Sequence, residues 1–331
     1  MTELDLNKLH TNQRLFVQEL TSRGASVSAI DYGMELLEVH YDSKKEYLID
    51  RTSHIVSYVP AILSADKHLT KDILNIAKIS IPKGRLFSLD DIDDAIDFAE
   101  SLNYSVVFKP NQGSHGLFVH SDIHNELDLK EAICTYFEQS DEDSLFLIEE
   151  YITGLENRIF ITSKDDYAVL QREPAHVIGD GSHTIQELAT TETDYQKKVK
   201  GSALCPIVID ETVGKFLSRQ GKTLETVPKK DEKIYLRLTS NLALGGISTD
   251  MTDVAHPSAI KIAQQALACF EGLPIIGVDF ITPDITKDQN KTKYGIIEVN
   301  VNPGLSMHTM PAIGKAQPVP KYLADVMFPD L

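Results

Sequence analysis

The sequence predicts an α+β protein of two lobes, led by a short N-terminal α/β region. Three observations carry this. The 331 residues exceed a single domain of about 150. Between residues 69 and 152, helix-period segments alternate with compact apolar runs of strand length. From residue 156 onward, strand-like runs are joined by polar turns. The expected boundaries are 1–66 for the N-terminal region, 67–155 for the first lobe, and 156–331 for the second, with an elaborated insertion at about 172–235.

In chain order, residues 12–23 read as a helix with Phe16 and Leu20 inward and Gly24 as its stop. Glu35–Tyr41 and His54–Val59 read as strands. Residues 69–79 read as a helix broken by Pro82 and Gly84. Ser88, with Asp91 three residues on, opens a helix whose stripe is Leu89, Ile92, Ile96 and Ala99. Tyr104–Pro110 is a buried strand, Leu117–His120 its return, 126–138 a helix and Leu145–Ile152 another strand. Asn157–Thr162 and Tyr167–Gln171 flank a polar turn, and Thr184 with Glu187 caps a helix in the insertion. Ala259, Ile262, Ala263, Ala266, Leu267 and Phe270 form one face of what reads as the last helix. Pro274–Ile281 and Tyr294–Asn300 then pair across a polar loop.

Composition limits function. There are 32 Lys+Arg against 49 Asp+Glu, a net charge of −17. That balance disfavours duplex nucleic acid and anionic membrane surfaces. It leaves room for a small anionic ligand held by local cations. Hydrophobic residues at 42% and charged at 24% describe an ordinary globular chain. No apolar run reaches the roughly 18 residues of a membrane span, and MTELDLNKLH has no apolar signal region. Cys134, Cys205 and Cys269 stand apart with no CxxC spacing, so free thiols in a reducing cytoplasm are expected.

The strongest local feature is Ile297-Glu298-Val299-Asn300-Val301-Asn302-Pro303-Gly304. On a strand Glu298 and Asn300 share a face. Asp279 lies within the apolar run IIGVDFI, where an unpaired carboxylate would be costly. If the two strands are antiparallel neighbours, two carboxylates and an amide converge, a hard-oxygen set suited to Mg²⁺. Asn-Pro-Gly is also a turn signal by itself. Lys109 ends the strand SVVFKP, and Gly113-Ser114-His115-Gly116 follows. A lysine there can meet an anion and the loop can lay N–H groups over phosphates. In isolation a snorkelling lysine and an ordinary hairpin are the better explanation. Glu149-Glu150-Tyr151-Ile152, with Glu156 beyond, can hydrogen-bond adenine and a ribose diol or simply be a solvated strand end. Arg237 and Asn241 before Gly245-Gly246 offer a guanidinium and free N–H groups to an oxyanion.

Taken together, these pieces resemble the ATP-grasp carboxylate–amine ligases, from about Lys67 to Pro329. The motifs are ADKHLTK with IPKG, FKPNQGSHG, IEEYITGLENR, REPA with GDGSHTIQEL, NLALGG, DMTDVAHP and EVNVNPGLSMHTMPAIGK. They are similar to cyanophycin synthetase and to the ATP-grasp half of bifunctional glutathione synthetase. The resemblance implies an ATP-grasp fold, two α+β lobes gripping ATP. It implies Lys67 and Lys109 on the phosphates, under a loop of Gly113, Ser114, His115 and Gly116. Glu149, Glu150, Tyr151 and Ile152 would surround adenine, and Glu156 the ribose. Asp279, Glu298 and Asn300 would hold two Mg²⁺, or Mn²⁺. Arg237, Asn241 and Gly246 would serve the acyl phosphate, and Arg158, Arg172, Asn302 and Gly304 the substrates.

The implied reaction passes the γ-phosphoryl of ATP to a carboxylate, after which an amine displaces phosphate and forms an amide. Amino acids or small peptides are the expected partners, with a homo-oligomer such as a dimer. Two other readings stay open: a phosphotransferase on a small carboxylate, and a non-catalytic nucleotide-binding module.

Overall fold

The computed structural model describes residues 4–113, 117–141, 144–198 and 204–331. The chain divides into two compact units. Unit 1 comprises the stretches up to Ile81, Asn157–Leu170 and Asp250–Leu331, and unit 2 comprises Pro82–Glu156 and Gln171–Thr249.

Unit 1 begins with α1 (Thr11–Ser22), whose buried face is Gln13, Phe16, Val17 and Leu20. The helix stops at Gly24, φ +100°, where the Ala25 N–H returns to the Leu20 carbonyl in a left-handed C-cap. An antiparallel sheet follows: β1 (Ser26–Asp31), β2 (Leu36–Tyr41) and β3 (Lys44–Ile49). The strand expected at His54–Val59 is not one. Those residues lead into α2 (Tyr58–Ala65), because Pro60 in the first turn needs no N–H partner and favours a helix start. Next comes α3 (Lys67–Ile76), capped by the Asp66 carboxylate accepting from the Leu69 N–H at 2.9 Å. Later segments of unit 1 supply α8 (Pro257–Ala268), β13 (Ile275–Thr282), β14 (Gly295–Asn300), α9 (Ser306–Thr309) and α10 (Val319–Met327). Thus α8 is not the last helix. Two apolar cores hold the unit, one joining α1 and β2 to α10, the other joining α8 to β13 and β14.

Unit 2 contains β4 (Gly84–Phe87), α4 (Ile92–Ser101), β5 (Val106–Pro110), β6 (His120–Ile123), α5 (Glu126–Phe137) and β7 (Phe146–Glu150). Ser88 and Asp91 form the expected capping box, but a short 3₁₀ turn intervenes before α4. The return strand falls three residues later than expected. The sheet order is β4–β7–β5–β6, over a core of Phe87, Phe108, Phe146 and residues of α4 and α5. The insertion adds β10 (His176–Ile178), α6 (Ile185–Lys198), α7 (Glu211–Arg219) and β11 (Lys233–Tyr235) around its own small core. Thr184 and Glu187 cap α6 reciprocally, as expected. Strands β8 (Leu155–Thr162), β9 (Tyr167–Glu173) and β12 (Ile247–Asp250) run through the boundaries between units, in the sheet order β12–β9–β8–β13–β14.

Candidate active site

In unit 1, β13 and β14 are antiparallel, with Gly277 opposite Asn300, Val278 opposite Val299 and Asp279 opposite Glu298. Cross-strand partners share a face, so Asp279 and Glu298 lie side by side and Asn300 lies two residues along. Val278 and Val299 fill the core on the other face. The register slips just after Asp279, a bulge of the kind that aims a side chain at a strand end. The convergence expected from the sequence is therefore present in the register.

Asp279 is 3% exposed. Both of its oxygens accept from Arg158 on β8, with Nη2 to Oδ2 at 3.0 Å and Nε to Oδ1. This bidentate pair offsets the charge of a buried carboxylate. Gly277 makes room for it. A Cβ at that position would lie 2.7 Å from the Pro303 Cβ and 3.3 Å from Arg158. Gly277→Ala is thus expected to cost about 1–3 kcal/mol by overpacking, read as a lower midpoint in urea; an unchanged midpoint would show that the Pro303 loop yields freely.

The donor set suits a hard divalent cation. All three candidate ligand groups carry oxygen, and Glu298 and Asn300 are half-buried. The amide Nδ2 of Asn300 is enclosed with no hydrogen-bond partner among the described residues. Which end of an amide carries the oxygen is an assignment, and its oxygen turned to that position would meet a cation. In the same unit, Lys67 is 8% exposed at the first position of α3.

The sequence offers Arg158 and Arg172 as substrate contacts. In the structure both guanidinium groups have carboxylate partners within the chain. Arg158 sits on Asp279, and in unit 2 Arg172 sits on Glu156, which also accepts from the Ser240 hydroxyl. Asn302 is also engaged. Its amide donates to Asp50 Oδ2 at 2.6 Å and its carbonyl accepts from Arg51 at 3.2 Å. Beside it, the Asn12 amide oxygen accepts from the N–H groups of Leu305 and Ser306, which fixes the chain just past Gly304. Asn12, Asp50 and Arg51 were not legible in the sequence. The only signal for Asp50 and Arg51 is that they form a polar pair closing the apolar run Tyr47-Leu48-Ile49.

In unit 2, Lys109 and Glu149 are 6% and 2% exposed and pair at 2.9 Å. Val107 is opposite Glu149 in the β5–β7 register, so Lys109 reaches Glu149 diagonally on one face. Gly84 admits this carboxylate, since a Cβ there would lie 2.8 Å from the Glu149 Cγ. The N–H groups of Glu150 and Tyr151 bond the carbonyls of Lys83 and Ser105 at 2.8 Å, and Ile152 is buried. Gly113 has φ +120° with open space about it; Ser114, His115 and Gly116 lie outside the described residues.

Arg237 is 5% exposed; its Nη2 donates to the Val208 carbonyl at 2.6 Å and lies 3.2 Å from Asp210. Asn241 caps the following turn through the Ala243 N–H. Gly246 is tight: a Cβ would lie 3.0 Å from the carbonyls of both Asn241 and Glu173. The Gly-Gly loop is therefore a close-packed turn.

No known family profile matches the chain, but individual relatives do. Cyanophycin synthetase of Geminocystis herdmanii is 36% identical over 298 residues, covering 89% of this chain and 34% of that one. The bifunctional glutathione biosynthesis protein GshAB of Clostridium perfringens is 32% identical over 326 residues, covering 97% of this chain and 41% of that one. The crystal structure of a bifunctional glutathione synthetase from Pasteurella multocida superposes with a TM-score of 0.69 at 29% identity, over 98% of this chain and 44% of that one. The chain is an ATP-grasp homologue of these enzymes. As an ATP-grasp protein it has the α+β fold expected from its motifs, and it spans under half the length of these relatives. No described helix is long and apolar enough to cross a membrane.

Proposed function

We propose that this ATP-grasp protein is an ATP-dependent carboxylate–amine ligase, joining an amino-acid or small-peptide carboxylate to an amino-acid amine and releasing ADP and phosphate. The observation that carries the reading is the cross-strand pair Asp279–Glu298 with Asn300 on one face, in a chain homologous to two amide-forming synthetases. The three-part division at residues 66 and 155 belongs to this proposal, as do a cytoplasmic setting, a homo-oligomeric (dimeric) state and the lack of nucleic-acid or membrane partners.

Asp279, Glu298 and Asn300 would hold Mg²⁺, with Mn²⁺ able to substitute. Bound there, the cation would neutralise charge on the β- and γ-phosphate oxygens. Arg158 orients the Asp279 carboxylate for that task. Lys67 and Lys109 supply further positive charge to the phosphates, with Glu149 holding the Lys109 ammonium in place. The segment Glu149–Ile152 receives adenine and Glu156 the ribose, with Arg172 orienting Glu156. The loop from Gly113 to Gly116 excludes water from the reactive acyl phosphate. Arg237 offsets charge on that intermediate; the N–H groups of Ala243 to Gly246, expected to be free, bond to Asn241 and Leu242 within their own turn. Asn302 and Gly304 line the substrate side.

The test is mass spectrometry on amino acids and γ-glutamyl peptides incubated with Mg-ATP. A new amide mass with ADP supports a ligase. ADP with a phosphorylated acid would point to phosphotransfer, and ATP binding without turnover to a regulatory module. Lys109→Ala is expected to weaken ATP binding at least about tenfold, since it removes one phosphate contact and the ammonium that pairs with Glu149. Calorimetric titration with ATP reads this, and unaltered affinity would separate Lys109 from the nucleotide.

A further inference from the structure

Unit 1 carries a polar network that the nucleotide and metal residues above leave unexplained. Its centre is the Asp50 carboxylate, whose side chain is 19% exposed. Oδ1 accepts from Arg51 Nη1 at 2.6 Å and lies 2.8 Å from His10 Nε2, while Oδ2 accepts from the Asn302 amide at 2.6 Å. Arg51 is buried, and its Nη2 also donates to the Asn302 carbonyl at 3.2 Å. The side chain and the backbone of Asn302 are thus held by residues 252 and 251 positions earlier.

Asp50 is itself placed rigidly. Glu35 and Asp50 both take left-handed backbones, φ +54° and +53°, which is uncommon for residues with a side chain. Gln13, buried on α1, donates Nε2 to both of their carbonyls at 2.8 and 3.1 Å. The Asp50 N–H closes the link on the Glu35 carbonyl at 3.0 Å. His10, Glu35 and Asp50 bring ligand atoms within 4.8 Å of one another, but the Arg51 guanidinium on Asp50 already supplies the positive charge there. The cluster therefore reads as an internal network and not as a cation site.

A second arm grips the same stretch. Asn12 Oδ1 accepts from the N–H groups of Leu305 and Ser306 at 2.9 and 2.8 Å. Leu305 is fully buried in the apolar core that holds Phe16, Leu20, Leu37 and Leu48. Between the two arms, Pro303 lies against Gly277, the cross-strand partner of Asn300. Strand β14 ends at Asn300, so the place of that side chain depends on pairing with β13 on one side and on this grip on the other.

We infer that Asp50 is a positioning residue for the metal site: with Arg51 and Asn12 it fixes the stretch Asn302–Ser306, and through it the Asn300 amide. The inference rests on the reading of Asp279, Glu298 and Asn300 as ligands.

The experiment measures Mn²⁺ binding to the full chain by electron paramagnetic resonance, with a non-hydrolysable ATP analogue and no acid present. Asp50→Asn, which removes the charge holding Arg51, is expected to weaken binding at least about tenfold, the lower end of the loss when a group that orients a metal ligand is removed. Asn302→Asp sets two carboxylates against each other and is expected to do the same. The double variant Asp50→Asn/Asn302→Asp exchanges donor and acceptor and returns one carboxylate to the pair, so it is expected to recover most of the loss. If Asp50→Asn does not fold, Asn12→Ala tests the second arm, with weaker Mn²⁺ binding again expected. In turnover, the Mg²⁺ concentration for half-maximal rate should rise while KM for ATP at saturating Mg²⁺ stays unchanged. Wild-type Mn²⁺ affinity in folded single variants, or a loss that the double exchange leaves in place, would overturn the positioning role. No Mn²⁺ binding by the unsubstituted chain would overturn the metal set itself, and the positioning role with it.

Discussion

Replacing Glu298 by Gln is expected to lower kcat by a factor of about 10²–10³, the range seen when one preorganised group is lost from a reacting centre, while the fold stays intact. The change is isosteric and the side chain is half-buried at the end of β14, so packing is conserved. What changes is charge. Asp279 and Glu298 contribute two negative charges and Arg158 one positive, leaving the set at −1. With Gln the set becomes neutral and loses its preference for a divalent cation. ADP release at saturating ATP, alongside circular dichroism, reads the effect. An unchanged kcat would remove Glu298 from the metal site.

The second large effect concerns stability. Arg158→Met, measured without divalent cations, is expected to destabilise unit 1 by about 3–5 kcal/mol, because it removes the bidentate cation from a buried carboxylate. Arg158 and Asp279 side chains are only 9% and 4% exposed, so water cannot replace the guanidinium. At roughly 2–4 °C per kcal/mol for larger domains, the loss is large in a melt. Millimolar Mg²⁺ should return part of it, since a cation bound at Asp279 meets the same charge. A Tm within a degree of the unsubstituted protein, or a deficit that Mg²⁺ does not touch, would break the link between Arg158 and the metal set.

The elements with strong periodicity were legible. The faces of α1 and α8 follow directly from Phe16 and Leu20 and from Ala259 through Leu267, and the pairing of β13 with β14 follows from two apolar runs around a polar loop. The site was legible wherever it depends on strand alternation, as for Glu298 and Asn300. It was illegible where it depends on contacts between distant segments. Nothing local tells that Arg158 turns to Asp279 across 121 positions, or that Asp50 and Arg51 reach Asn302. Long-range charge pairs leave no period in a sequence, so the carboxylate partners of Arg158 and Arg172 had no local signal. The run His54–Val59 misled for a local reason: its β-branched residues suggest a strand, yet Pro60 and the Ser57 N–H bond to the Gly272 carbonyl start a helix.

The central claim is that a carboxylate is activated by phosphoryl transfer before an amine attacks it. Isotope transfer tests this directly, using whichever acid the product screen finds active, labelled with ¹⁸O in its carboxyl group. If an acyl phosphate forms and the amine attacks the carbonyl carbon, one labelled oxygen leaves with the phosphate, and mass spectrometry of the released inorganic phosphate finds it there. Phosphate free of label, with both labelled oxygens still in the acid or its product, would contradict the account.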